Sequence, residues 1–222
     1  MAARLISRIV RLLLRGGAVA ALLAGSAAAS AQSGTTLANG MFLVAKPDLI
    51  DPHFHETVVL VTELEAGTGP IGVIINRPLK LRLSRIVPDL RVPPQFDAVY
   101  GGGPVGLKQL LFLVRSKDPP PRSLPLLADV YLSGDRTLLE SVMKSETQVS
   151  AFRAYVGYAG WAPGQLQVEI ASGSWYVVPA DAATVFSTEP DKIWPELVRR
   201  AAMQYTVIPP HDPRQTAALT EK

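Results

Sequence analysis

Short apolar runs, separated by polar segments rich in glycine and proline, recur along most of this chain, a pattern typical of β-strands. In the first half they predict strands at 41–45, 57–62, 71–75, 98–100 and 110–114. In the second half they predict strands at 130–132, 152–158, 165–170 and 175–178. The segments 57–62 and 71–75 flank a turn that contains glycine and proline, so we expect them to form a β-hairpin.

Helical signals are fewer. Ser84 is expected to cap a short helix that reaches Val87. A second helix is expected after a cap at Ser133 or Asp135, because the apolar residues that follow share one helical face. A last helix is expected to have Pro195 in its first turn, where proline is tolerated because the N–H groups there have no partner within the helix.

The N-terminal segment has the order of a secretory signal peptide. Four arginines precede a stretch of small apolar residues, which ends at Ala29-Ser30-Ala31. We therefore predict a signal peptide at 1–31, a flexible leader at 32–39, one domain at 40–208 and a flexible tail at 209–222. Export, to the periplasm, is the expected destination. A mitochondrial presequence, an uncleaved membrane tether and a cytoplasmic location are the alternatives. No later segment is long and apolar enough to be a membrane span.

Composition narrows the possible functions. Hydrophobic residues make up 48% of the 222 residues, enough for a substantial core. Removal of residues 1–31 leaves 18 basic and 19 acidic residues, a net charge of −1, which argues against a nucleic-acid partner. The chain contains no cysteine, so thiol catalysis, disulfides and cysteine-ligated metals are excluded.

The catalytic and cofactor motifs that we sought are mostly missing. His53 and His55 lie between Asp51 and Glu56 and invite a metal interpretation, but two histidines at this spacing are more typical of a polar loop. The glycines at 101, 103 and 106 match the fingerprint of a dinucleotide-binding loop. The segment between them and the next predicted strand is too short for the helix that would bind the pyrophosphate. No phosphate-binding lysine motif or nucleophile elbow is present. We predict no cofactor, no metal and no catalytic residues.

Several strings, in order along residues 41–200, resemble the YqgE/AlgH family. They are Phe42-Leu43-Val44-Ala45, Asp51-Pro52, Thr57-Val58-Val59-Leu60, Gly72-Val73-Ile74-Ile75-Asn76-Arg77-Pro78, Gly102-Gly103-Pro104-Val105 and Gly157-Tyr158-Ala159-Gly160-Trp161 with Pro163-Gly164-Gln165-Leu166. The resemblance implies a single α/β (α+β) domain with a bifurcated, barrel-like, mostly antiparallel sheet flanked by helices. It also implies a helix at 163–172, against the alternation that predicts a strand there, and we adopt the helix.

The resemblance carries over no catalytic residue, because none is settled for the family. Some of its members are labelled transcriptional regulators, a role that an export signal opposes. The Gln-Leu-Glu of the family's tryptophan motif is Gln165-Leu166-Gln167 here. The sequence favours a non-catalytic binding or regulatory module of the cell envelope, which acts on an unknown protein or small-molecule partner. A metal-dependent hydrolase of unknown substrate and a transcriptional regulator are the alternatives.

Two segments that contain glycine, Gly102-Gly103-Pro104 and Gly157-Tyr158-Ala159-Gly160-Trp161, follow predicted strands, and Asn76-Arg77-Pro78 follows a third. Glycine at a strand end permits positive φ and close backbone approach, so we expect some of these turns to lie together at one edge of the domain. Their members are the candidate binding surface: Asn76, Arg77, Gly102, Gly103, Tyr158 and Trp161.

Overall fold

The structure is a computed structural model that describes residues 40–63 and 69–207. The predicted signal peptide at 1–31, the leader at 32–39 and the tail at 209–222 lie outside these residues. Within them, no helix is both long enough and apolar enough to cross a membrane.

The described residues form ten strands and five α-helices. The strands are β1 (Met41–Ala45), β2 (Val58–Glu63), β3 (Pro70–Ile74), β4 (Pro78–Arg82), β5 (Ala98–Gly101), β6 (Val105–Arg115), β7 (Leu124–Pro125), β8 (Val130–Ser133), β9 (Ala151–Gly160) and β10 (Trp175–Pro179). The helices are α1 (Leu83–Ile86), α2 (Arg136–Met143), α3 (Gln165–Ala171), α4 (Ala182–Val185) and α5 (Pro190–Val207).

The strands join in one sheet that divides at β9. Along its main path the order is β10-β1-β2-β3-β9-β6-β8-β7. The last residues of β9 pair with β3, whereas its central residues pair with β5, which in turn pairs with β4. The contact between β5 and β9 is parallel and the other pairings are antiparallel. The bifurcated, mostly antiparallel sheet and the hairpin of β2 with β3 are therefore confirmed.

Helices cover the sheet because its strands carry apolar residues on both faces. Helix α5 packs on β1 and β10, and Trp194 Nε1 in this helix donates to Ala45 O at 2.8 Å. Helix α2 buries Leu138, Leu139 and Val142 in a second cluster, together with residues of β6, β8 and β9. In the described residues, the hydrophobic core consists of three apolar clusters, and each of them includes residues of β-strands.

The structure decides two predictions about helices, those at 165–171 and around Pro195. Residues 165–171 form a helix, so the strand predicted from alternation is wrong and the helix implied by the resemblance is correct. Helical geometry buries Leu166 but leaves Val168 exposed, which a strand with one buried face would not do. Helix α5 begins at Pro190, so Pro195 lies inside it and not in its first turn.

Helix caps also differ from the prediction in one case. Ser84 does not cap α1; its backbone N–H instead donates to Asp97 Oδ1 at 2.8 Å, and this bond lowers the pKa of Asp97. Between the two candidates for α2, Asp135 is the cap, because its Oδ1 accepts from Leu138 N at 2.9 Å. An aspartate from a distant segment can thus replace a local cap, which a sequence pattern does not show.

Tyr155, on β9, is fully buried, and its hydroxyl makes no hydrogen bond of normal geometry. Burial raises the pKa of this phenol, while the nearby Arg153 charge opposes the rise. Because the unfolded chain releases this proton first, the contribution of Tyr155 to stability should be constant below the unfolded pKa of about 10 and be lost as the pH rises above it. Tyr155→Phe should remove this part of the alkaline loss and change stability near neutral pH by less than about 1 kcal/mol.

Urea unfolding of both proteins, at neutral pH and above about pH 10, measures the two effects. Equal alkaline losses in the wild-type protein and in Tyr155→Phe would show that this phenol does not control the loss. A large loss at neutral pH in the variant would show that the hydroxyl has a stabilising partner.

Candidate functional site

Two of the predicted turns, after β3 and after β5, meet beside β9. The turn predicted from Gly157 is wrong, because β9 continues through Gly157 as far as Gly160. Gly101 N donates to Arg77 O, Ile74 N donates to Gly102 O, and Gly102 N donates to Val156 O, each at 2.9 Å. These bonds join the segment after β3 to the segment after β5 and to the middle of β9. We call residues 76–77, 101–103 and 157 the glycine corner.

Close backbone approach explains three of the four glycines of this corner, Gly102, Gly103 and Gly157. A Cβ at Gly102 would lie 2.2 Å from Gly157 O, and a Cβ at Gly103 would lie 2.3 Å from the carbonyl carbon of Tyr158. Gly103 and Gly157 also have φ of +150° and +73°, values that L side chains rarely adopt. The corner therefore depends on residues without a side chain.

Asn76 fixes the loop before β2. Its Oδ1 accepts from Val58 N and its Nδ2 donates to Glu56 O, both at 2.9 Å. The side-chain amide of Asn76 thus provides the hydrogen bonds that a neighbouring strand would otherwise make with this part of the backbone. Both ends of the Asn76 side chain are engaged inside the fold.

Arg77 is the charged side chain of the corner. Its Cδ lies 3.6 Å from where a Cβ of Gly101 would be, and its Nη1 donates to His53 O at 2.8 Å. In the described part of the chain, no carboxylate oxygen lies within 4.0 Å of this half-buried guanidinium. Burial without such a partner lowers the pKa of Arg77.

The predicted aromatic residues lie in the core. Trp161 is 5% exposed, and its Nε1 donates to Glu169 Oε2 at 2.9 Å, the same oxygen that accepts from Trp175 Nε1 at 3.0 Å. The ring of Phe54 stacks on Trp161 with centroids 5.9 Å apart. Tyr158 is 6% exposed, and burial raises its pKa. The structure therefore separates Trp161 and Tyr158 from an open binding surface.

Two features of the site are not among the predictions from the sequence. Glu169, two residues after the glutamine that replaces the family's glutamate, receives both indole N–H groups. Leu79 and Leu107 are exposed and flank the corner, since they approach the Cβ positions of Gly101 and Gly157 to 3.5 and 3.3 Å. The alternation of leucine and basic residues after Pro78 is the signal that would have revealed the exposed strand β4.

The histidine loop does not assemble a metal centre in the structure. Asp51 Oδ1 accepts from His53 N at 2.7 Å, and His55 Nε2 lies 3.7 Å from Glu56 Oε1. Across residues 40–63 and 69–207, no group of three histidine, aspartate or glutamate side chains could hold a metal ion. The hydrolase hypothesis therefore finds no ligand set among these loop residues.

Comparison with known proteins agrees with the fold and with the motifs. The AlgH-like family matches residues 42–206. The UPF0301 protein of Methylococcus capsulatus is 39% identical over 158 residues, which cover 69% of this chain and 83% of that protein. A UPF0301 protein of Chlorobium luteolum is 34% identical over 177 residues, covering 78% and 90% of the two chains.

Two solved structures share the fold. The solution structure of the AlgH protein from Pseudomonas aeruginosa matches with a TM-score of 0.64 and 29% identity, over 82% of this chain and all of that one. A crystal structure of a Corynebacterium diphtheriae protein matches with a TM-score of 0.63 and 26% identity, over 77% and 90%. With its motifs, its bifurcated sheet and these matches, the chain belongs to the AlgH-like family.

Proposed function

We propose that this protein is a non-catalytic binding module of the cell envelope, with regulatory effect, and that its partner binds at the glycine corner. One observation carries the proposal: Arg77 is held half-buried at the meeting point of three segments without a carboxylate partner in the described residues. Burying a cation without a counter-charge is costly, so such a group is a candidate for recognition. Exposed Leu79 and Leu107 beside it add apolar contact area.

The envelope location rests on the N-terminal sequence. Residues 1–31 have the basic, apolar and small-residue order of a signal peptide, and the remaining chain has a net charge of −1. Both features oppose the alternative of a DNA-binding regulator, which needs access to the chromosome and a basic surface.

An affinity experiment in the native host tests this function. The tagged protein should be recovered from the envelope fraction with the mass of a chain that begins at Gln32. It should retain a partner that Arg77→Gln loses by about tenfold or more, because a charge-assisted hydrogen bond contributes about 1.5–3 kcal/mol. Quantitative mass spectrometry of the retained material measures the ratio.

Arg85→Gln is the matched control, because Arg85 is an exposed arginine of the nearby helix α1. It should retain the same material as the wild-type protein. Recovery of a cytosolic chain that begins at Met1 would defeat the envelope proposal. Equal retention by Arg77→Gln and the wild-type protein would defeat the glycine corner as the binding surface.

A further inference from the structure

As whole residues, Arg77, Arg115 and Arg153 are the least exposed arginines in the described part of the chain, and they differ in how their charge is satisfied. Arg115 Nε donates to Asp129 Oδ2 at 2.6 Å. Arg153 donates to three main-chain carbonyl oxygens. Arg77 donates to one carbonyl oxygen, that of His53. Arg77 is therefore the one of the three that has neither a carboxylate nor a set of carbonyls around it.

The donors of Arg77 are largely unused. A guanidinium carries five N–H donors, and the described residues accept from Nη1 only. The acids of the adjoining loop are engaged elsewhere: Asp51 Oδ1 accepts from His53 N, and Glu56 lies beside His55. The unused donors are not among the buried side-chain atoms of the described residues that lack a partner, so solvent and an incoming ligand can reach them. A charge-assisted bond to a partly buried guanidinium is screened less than one to an exposed arginine.

The fold also fixes the position of the Arg77 guanidinium before any ligand binds. Its stem packs at van der Waals distance beside Gly101, with Cδ 3.6 Å from the Cβ position of this glycine, and Nη1 is held by the loop that Asn76 ties to β2. A fixed, planar fork matches the two oxygens of a carboxylate or a phosphate group. Little conformational entropy is then lost when the ligand binds.

We infer that Arg77 binds an oxyanion, the carboxylate or phosphate group of the partner that occupies the glycine corner. This inference rests on the proposed function and names the chemistry of its ligand. We assign the group to a soluble anionic molecule, and the vesicle experiment below tests the lipid headgroup as the other source of the same chemistry. Leu79 and Leu107 would then contact the apolar part of the same ligand.

Nuclear magnetic resonance on the purified protein tests the inference. Inorganic phosphate and acetate are titrated separately, with sodium chloride at matched ionic strength as the reference. The Nε–Hε resonance of Arg77 and the amide of Gly101 should shift saturably with at least one oxyanion. Arg77→Lys, which keeps the charge but loses the fork, should bind about tenfold more weakly. Arg85→Gln should bind as the wild-type protein does.

Sedimentation with phosphatidylglycerol vesicles, compared with phosphatidylcholine vesicles, separates the sources. Binding that depends on Arg77 and on phosphatidylglycerol assigns the oxyanion to a lipid headgroup, whereas shifts with soluble anions alone assign it to a soluble ligand or a protein. Equal shifts with chloride and both oxyanions, together with no vesicle binding, overturn the inference. The wild-type titration requires no variant, so the result does not depend on whether Arg77→Lys folds.

The two proposals fail in different ways. A partner that is retained through Arg77, in a protein that binds no oxyanion probe, overturns the oxyanion and leaves the binding function in place. Oxyanion binding at Arg77 without a retained partner supports the oxyanion site and counts against a macromolecular partner.

Discussion

Gly103→Ala is expected to lose about 3 kcal/mol or more of unfolding free energy. The new Cβ would lie 2.3 Å from the carbonyl carbon of Tyr158 and 2.4 Å from Ala159 N, both of them backbone atoms of β9. Overpacking in a dense interior costs about 1–3 kcal/mol, and a strained φ adds about 1–3 kcal/mol. Since β9 joins both branches of the sheet, the clash cannot be relieved by moving a peripheral strand.

Urea unfolding measures this loss, and Gly164→Ala is its matched control. Gly164 also has a positive φ, +80°, but no atom lies within 4 Å of its Cβ position. It should therefore lose only the cost of the left-handed backbone, about 1–2 kcal/mol. If the two variants lose equal stability, the tight backbone contact at Gly103 contributes nothing and the account of the glycine corner is wrong.

The strands were predictable because their signal is local. The apolar runs of β1, β2 and β3 are bounded by turn residues, and the hairpin follows from the length of the turn. The segment 165–171 was not predictable from alternation, because Leu166, Val168 and Ile170 fit one face of a strand as well as they fit a short helix. The resemblance implied the helix, and in the structure Leu166 is buried while Val168 is exposed, as a helix and not a one-faced strand requires.

The candidate site was predictable in its backbone and not in its side chains. Glycines after strand ends indicated close approach, and the segments at 76–77 and 101–103 do meet beside Gly157, which lies within β9 and not in a turn. The sequence could not show that the Asn76 amide is engaged by the loop before β2 or that the Trp161 indole donates to Glu169. The loop partners of Asn76 are 18 and 20 residues away, and Glu169 lies eight residues after Trp161 in a different element, so these pairings are set by the tertiary fold.

The burial of Arg153 and the contacts of its side chain also could not be predicted from the sequence. It lies in a run that predicts a strand, and nothing in that run marks it as buried. In the structure it is 7% exposed, and its charge lies 4.2 Å from the centre of the Tyr100 ring. Its Nη1 donates to Val185 O at 2.6 Å and to Ile75 O at 3.2 Å, and its Nη2 donates to Ser187 O at 2.6 Å. One side chain thus ties β9 to the end of α4 and to the segment after β3.

Arg153→Met should therefore lose about 3 kcal/mol or more, because three carbonyl oxygens lose a charged donor and each buried unsatisfied group costs about 1–3 kcal/mol. Arg153→Lys should lose less than Arg153→Met but still destabilise, since an ammonium group cannot reproduce the planar geometry that reaches two separate segments. Chemical denaturation of the three proteins at neutral pH measures the order.

Arg136→Met provides the comparison, because Arg136 is an exposed arginine of α2 that pairs with Asp89 and Glu140. Exposed ion pairs contribute little to stability, so this variant should remain close to the wild-type protein. Comparable losses at Arg136 and Arg153 would mean that removing any arginine is costly and that the carbonyl contacts are incidental. A large loss of stability at Arg153 alone, with partial recovery by lysine, would show that this buried guanidinium joins β9 to the end of α4 and to the segment after β3 through the carbonyl oxygens that it contacts.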